Sequence, residues 1–186
     1  MSKENTTKYI VLGLLSHEDL SGYDLKKHID LSISQFWEVG YGQLYPTLKE
    51  LEQAGYILGR AEPSGRGPAR TVYAITESGR AYLAGWLRLP VQKEYVKYEI
   101  LLKVFFGGLL PPAETLEKIT AFQQKSQANA AVLAQYRNNL EGVLGEDEDH
   151  LYFYLTVLFG ERVYQAYCDW AAEAARLLQE HFAKKS

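Results

Sequence analysis

Residues 42–57, GQLYPTLKELEQAGYI, followed by the loop 63–70, PSGRGPAR, carry the most structural information in this chain. Leu44, Leu48 and Leu51 recur at i, i+4 and i+7, so they share one side of a helix. Gly55 supplies a natural stop, because glycine accepts the left-handed conformation that a helix end often needs. The face away from the leucines carries Gly42, Pro46, Lys49 and Gln53, flanked by Gln43 and Tyr45. Proline has no amide hydrogen, so Pro46 fits only near a helix start and places that start at Gly42 or Gln43. The expectation is a short helix that buries its leucines and turns a polar N-terminal end outward. Taken alone, the stretch fits an ordinary surface helix equally well.

The flanking sequence shifts that balance. Positions 56–62 and 70–75 are short runs rich in aromatic and β-branched residues, which predicts two strands. Between them two prolines and two glycines in seven residues mark a turn, with Arg66 at its tip. Two helices, a third helix and then a hairpin form the order of a winged helix-turn-helix. In such a fold the third helix enters the major groove and the wing lies along the adjacent backbone.

Several segments together resemble one family. The runs SGYDLKKHI at 21–29, LYPTLKELEQAGYI at 44–57 and RTVYAITESGRAYLAGWL at 70–87 resemble the PadR family of bacterial transcriptional regulators. The matching positions are Gly22 and Tyr23, Tyr45 and Pro46, Leu48, Leu51, Gly55, Tyr73, and Thr76 with Gly79. The likeness is strong over 8–88. It continues more loosely through YEILLKVFFGGLLPPAE at 98–114 into a helical tail similar to the virulence-activator type of C-terminal domain. The chain departs from that pattern at Tyr98, where the resemblance implies an acidic residue before Glu99. What the resemblance implies is a homodimeric DNA-binding regulator, not an enzyme. It also implies a phenolic acid bound between the winged and helical halves that releases DNA.

A chain of 186 residues with 47% apolar content can bury a real core in one or two domains. The single cysteine, Cys168, excludes an intramolecular disulfide and fits a reducing cytoplasm. The apolar run near the N-terminus is too short for a signal-peptide core or a membrane span, so a cytoplasmic protein is expected. A net charge of −3 runs against the habit of small nucleic-acid binders. The deficit is local, however. Residues 1–88 hold ten Lys+Arg against ten Asp+Glu, whereas 89–186 hold ten against thirteen. Lys26, Lys27, Lys49, Arg60, Arg66 and Arg70 fall on the elements that would face phosphates, and so few contacts per subunit favour a dimer.

Taken in order, 7–15 predicts a first, buried helix and 22–31 a second, opened by Ser21 and Asp24 as an S-x-x-D signal. Leu25 and Ile29 form its core face, and Phe36 and Trp37 read as core plugs in the following turn. Thr76 caps a fourth helix that runs to about Arg88 and is closed by Pro90. The expected architecture is mainly α, with a winged helix-turn-helix and two-stranded wing over 1–90 and a long-helix dimerisation region over 91–186. In the second half Ile119, Phe122, Ser126, Asn129, Leu133, Tyr136, Leu140 and Val143 form a coiled-coil-like seam. Leu155, Phe159, Val163, Ala166, Trp170, Ala174 and Leu177 repeat it after the acidic turn 145–149. Two such helices expose more apolar surface than they bury alone. A homodimer interface through Phe122, Leu133, Tyr136, Leu155, Phe159, Val163 and Trp170 is therefore expected.

Double-stranded DNA is the expected partner of Ser21, Tyr23, Lys26, Tyr41, Gly42, Gln43, Tyr45, Pro46, Lys49, Arg66 and Arg70. Gln43 suits a base edge, while Lys49 and Arg66 suit the backbone. A small aromatic effector would meet Phe105, Tyr164 and Trp170, although aromatic stripes at helical spacing are usually core. His17, His28, His150 and His181 have no acid or cysteine at ligand spacing, so neither a metal nor another cofactor is expected. No phosphate-cradling glycine loop or nucleophile elbow is present, and no catalytic residue is assigned. The competing class is a winged-helix module that binds protein instead of DNA.

Overall fold

The structure, a computed structural model, describes residues 5–34, 37, 39–63, 70–91 and 97–184. Its contacts divide the chain into two compact units, Met1–Glu94 and Tyr95–Ser186. The first contains α1 (Thr7–Leu15), β1 (Leu20–Ser21), α2 (Gly22–His28), α3 (Tyr41–Gln53), β2 (Ile57–Glu62), β3 (Arg70–Ile75) and α4 (Glu77–Leu87). The strands form one antiparallel sheet in the order β1-β3-β2. The expected two-stranded wing thus gains a third strand. At two residues, β1 is too short to show any alternation in sequence, and it is placed by pairing Leu20 with Tyr73 and Ser21 with Val72.

The leucine face of α3 lies in the core as its spacing requires. Leu44, Leu48 and Leu51 are at most 2% exposed and join Val11, Leu12 and Leu15 of α1, Leu25 and Ile29 of the second helix, and Ile57 of β2. The second helix does not stay α-helical to position 31. After His28 it widens into a π turn, Ile29–Ile33, where the Ser32 and Ser34 hydroxyls donate to the His28 and Asp30 carbonyls. Trp37 is not a core plug, because it is 38% exposed; Val39, at 3%, enters the core. Phe36 lies outside the described residues.

Helix α3 stops as its sequence predicts. Gly55 adopts φ +73°, and the Tyr56 amide reaches back to the Leu51 carbonyl at 2.9 Å. Thr76 then ties this turn to α4: its hydroxyl accepts from the Gly79 amide at 3.1 Å and donates to the Gly55 carbonyl at 2.8 Å. A side chain at 79 has no room, since a Cβ there would sit 2.1 Å from the Tyr56 carbonyl oxygen. A column of stacked rings fixes α4 to α1 and the hairpin, with centroid spacings of 4.2 Å for Trp86–Tyr9, 5.6 Å for Tyr9–Tyr82 and 4.5 Å for Tyr82–Tyr56.

The second unit contains α5 (Glu99–Phe105), a 3₁₀ turn (Gly107–Leu109), α6 (Pro112–Glu141) and α7 (Glu148–Ala183). Pro112 opens α6, where a missing amide hydrogen does no harm. Asp147 caps α7 by accepting from the Asp149 amide, with two more acids in the first turn. The two long helices pack on each other. The α6 seam matches the expected one, with Ile119, Ser126 and Leu133 buried, and the Ser126 hydroxyl satisfied by the Phe122 carbonyl at 2.8 Å.

The face of α7 that packs on α6 is not the large apolar series expected to take part in a homodimer interface. It runs through Gly160, Cys168 and Ala171, about one residue further along, which is roughly 100° around the helix. Leu133 fills the space a side chain at Gly160 would occupy, its Cδ1 lying 2.8 Å from that Cβ position. Small residues allowed the closer approach, and a spacing pattern that weighs large apolar residues overlooks them. Leu155, Phe159 and Leu177 consequently remain 50% or more exposed.

Gly79→Ala is expected to destabilise the protein by roughly 1–3 kcal/mol, the usual range for an overpacked site. Gly42→Ala, which meets nothing within 4 Å, is expected to leave the melting temperature unchanged or slightly raised. Thermal denaturation of both variants checks the pair.

Candidate nucleic-acid interface

Because its leucines face the core, α3 presents Tyr41, Gly42, Gln43, Tyr45, Pro46 and Lys49 to solvent, all exposed. The helix begins at Tyr41, with Gly40 as its extended N-cap, slightly earlier than expected. Pro46 therefore stands sixth, beyond the first turn, and the Gly42 carbonyl receives no backbone amide from it. The gap is tolerable because both residues are exposed. Thr47, facing inward, donates its hydroxyl to the Gln43 carbonyl at 2.7 Å.

Three tyrosines cluster on this surface. The Tyr41 and Tyr45 rings stack at 6.3 Å, each about half exposed, and Tyr23 is 67% exposed. Tyr23, Lys27, Asp30, Leu31 and Tyr41 line a shallow recess of about 220 Å³. Tyr45 rests on the start of α2, where a Cβ at Gly22 would lie 2.9 Å from its Cε1. That explains why glycine occupies 22 beside a helix start. The β2 end of the hairpin is tied to α3 through Glu52, whose carboxylate accepts from the Gly59 amide at 3.1 Å. Tyr73 on β3 has its phenol pKa raised, first by burial and then by Glu52 and Tyr45.

The charges are less free than the sequence suggests. Lys26 pairs with Asp30 one turn along and lies 5.2 Å over the Tyr41 ring. Arg60 pairs with Asp19. Arg70 sits between Asp24, 3.4 Å away, and Glu62, 3.8 Å away. Lys27 and Lys49 make no ion pair with a described residue. Arg66 lies outside the described residues.

Ser21 does not belong with the exposed set. It is 6% exposed, and its hydroxyl accepts from the Asp24 amide at 3.2 Å and donates to the Asp24 carboxylate at 2.6 Å. Its role is to cap α2, and that hydrogen bond is the main reason the Asp24 carboxyl is held below its usual pKa, with Arg70 and His28 adding to the effect. Asp19 and Glu62 were not singled out from the sequence, and Asp24 was read only as part of the helix-start signal, not as a partner of Arg70. A signal for one existed: with strands set at 56–62 and 70–75, Glu62 falls directly opposite Arg70.

In the second unit, Phe122 lies 5.6 Å from the Tyr167 ring and 5.7 Å from Trp170, and Tyr164 meets Tyr167 edge-on at 5.7 Å. Tyr164 and Trp170 thus share one aromatic group, whereas Phe105 is 80% exposed and packs on Phe106. The Tyr98 and Tyr167 hydroxyls are 2.6 Å apart, and burial together with this bond pushes the Tyr167 phenol well up. Leu133, expected at a dimer interface, is 4% exposed and packs inside the chain. Tyr136 and Val163 are half-buried, while Leu155 and Phe159 are exposed. Among the described residues, no helix is long and apolar enough to cross a membrane, and no group of three His, Cys, Asp or Glu side chains converges as a metal site.

A helix held by its apolar face, with its polar face open beside a small antiparallel wing, defines a winged helix-turn-helix protein. Comparison with known proteins gives its family. Residues 11–85 match the model of the transcriptional regulator PadR-like family, and residues 96–179 match the virulence activator alpha C-terminal model. The negative transcriptional regulator PadR of Bacillus subtilis is 33% identical over 142 residues, 76% of this chain and 76% of that protein. The solved structure of B. subtilis PadR in complex with operator DNA has a TM-score of 0.84 at 28% identity, covering 95% of this chain and 99% of that one. The structure of the same regulator in complex with p-coumaric acid has a TM-score of 0.76 at 28% identity over the same share of each chain. The chain belongs to the PadR-like family of transcriptional regulators, which are not enzymes.

Proposed function

We propose that this regulator binds a pseudo-palindromic operator as a homodimer in the cytoplasm and represses its own or a neighbouring operon. The observation that carries the reading is the outward face of α3: Tyr41, Gly42, Gln43, Tyr45 and Lys49 stand together, beside a wing tied to the same helix. Gln43 reads a base edge, Lys49 steadies a phosphate, and Gly42 leaves the helix end open to the backbone. Tyr23, Lys26, Tyr45 and Pro46 border that contact, with Arg66 on the wing. The similar B. subtilis regulator was solved on operator DNA and is named a negative regulator, which supports both DNA binding and repression. Gln43→Ala is expected to weaken binding to the region upstream of the protein's own gene roughly five- to 150-fold, taking about 1–3 kcal/mol for a lost base contact. Lys49→Ala is expected to weaken it for all sequences alike and to lower the salt slope by about 0.9. Wild-type affinity should also fall steeply as salt rises. Wild-type-strength binding by both variants in an anisotropy titration contradicts the assignment. No affinity for any duplex at low salt favours a protein-binding module instead.

Residues 1–90 serve DNA and 91–186 dimerisation. Tyr152, Leu155 and Phe159 form an exposed apolar stripe on α7, the kind of surface that a second copy of the chain can cover. Phe122, Tyr136, Val163 and Trp170 are half-buried, whereas Leu155 and Phe159 stand open, so the dimer rests on α7 more than on α6. Phe159→Asp is expected to convert a dimer to a monomer in sedimentation velocity; an unchanged dimer places the interface elsewhere.

A small phenolic effector relieves repression in this reading. The B. subtilis regulator solved with p-coumaric acid supports the ligand class, and Tyr164 and Trp170, joined through Tyr167 and Phe122, supply aromatic surface. The effector acts by preferring a subunit arrangement in which the two α3 helices no longer span one DNA turn, about 34 Å. Hydroxycinnamates are expected to raise the melting temperature and release DNA. No thermal shift at millimolar ligand contradicts this part.

A further inference from the structure

The arginine that opens β3 is bracketed by two acids from two different elements. Arg70 is 54% exposed, its Nη1 lies 3.4 Å from the Asp24 Oδ2 and its Nη2 lies 3.8 Å from the Glu62 Oε2. Neither acid is placed by chance of a long side chain. Glu62 is the direct cross-strand partner of Arg70 in the hairpin register. Asp24 is pinned in the first turn of α2, receiving the Ser21 hydroxyl at 2.6 Å while its own amide donates to Ser21. The guanidinium therefore stands beside the first turn of α2 and the end of β2, with both terminal nitrogens turned to protein oxygens. Counting only this group, one positive charge is set against two negative ones. Lys27 and Lys49, by contrast, carry no such partner among the described residues.

We propose that Asp24 and Glu62 are specificity-setting residues: they hold Arg70 on protein carboxylates, so that it does not contribute to binding duplexes of arbitrary sequence. This rests on the DNA-binding reading above. The chemistry is a competition for one guanidinium between two carboxylates and a DNA phosphate, both of which suit its forked donors. Exposed ion pairs of this kind are individually weak, so the bracket yields where the backbone is held in register by base contacts and persists where it is not. Because non-specific affinity is almost wholly electrostatic, withholding one arginine per subunit lowers it without touching the base-reading residues on α3.

The test is anisotropy of the full chain with a random-sequence duplex over a salt series, for Asp24→Asn, Glu62→Gln, Arg70→Ala and each acid variant combined with Arg70→Ala. Asp24→Asn and Glu62→Gln are each expected to raise non-specific affinity roughly three- to fivefold, the size of one exposed pair. The slope of log K against log salt should steepen by up to about 0.9 per arginine released. Arg70→Ala alone should bind random DNA like the wild type, and should abolish the gain from either acid variant. Wild-type behaviour of both acid variants overturns the proposal. So does a gain that persists without Arg70, which would mean simple removal of negative charge, or a loss of random-DNA affinity in Arg70→Ala alone. Glu62→Gln leaves the Ser21–Asp24 cap intact, so it decides the matter if Asp24→Asn lowers the melting temperature. A wild-type protein without affinity for any duplex overturns the DNA-binding reading, and this inference with it.

Discussion

Burial of one side of α3 is the constraint on which the DNA-facing half depends. Leu44, Leu48 and Leu51 enter the core with almost no exposure, and each such side chain contributes about 1.5–3 kcal/mol when removed from water. A helix has only one orientation that buries all three. That orientation forces Tyr41, Gly42, Gln43, Tyr45 and Lys49 outward, whatever their own preferences. The remaining devices keep the helix from shifting. Gly55 ends it, Glu52 grips the hairpin, and Thr76 ties the same turn to α4. The outward surface of α3 is thus a consequence of the core, fixed before any ligand arrives.

The charge balance follows a related logic. A net charge of −3 is awkward for a DNA-binding regulator if every cation is counted as available. In the structure Lys26, Arg60 and Arg70 are each matched to a carboxylate, while Lys27 and Lys49 have none among the described residues. In the proposed reading, affinity rests on few, well-placed contacts, association with unrelated DNA is kept low, and a second subunit paired through the exposed stripe on α7 makes up for the small number of contacts in each.

Much of this was readable in the residues. The periodic leucines, Gly55, the S-x-x-D box at Ser21 and Thr76 with Gly79 each announce themselves through a local rule. The elements they start or stop fall within a few residues of where those rules place them. Misreadings arose where a distant partner decides. Strand β1 exists only because β3 lies beside it. The π turn after His28 has no sequence signature comparable to a cap. Trp37 was assigned to the core by size, but Val39 enters it. On α7, Gly160, Cys168 and Ala171 define the face packed on α6 and went unremarked because they are small, while the large apolar residues Leu155 and Phe159 stay open. Spacing was enough to tell which residues of α3 face outward, whereas the acids that neutralise the basic residues needed the strand register and the fold of α2 onto β3.

The most direct measurement is photocrosslinking of the full chain to a bromodeoxyuridine-substituted duplex carrying the region upstream of its own gene, with the crosslinked peptides mapped by mass spectrometry. Crosslinks at Tyr41, Gln43 or Tyr45 are predicted, since those side chains are the ones the buried leucines turn outward. Crosslinks confined to α6 and α7, with none in α3, would contradict the account.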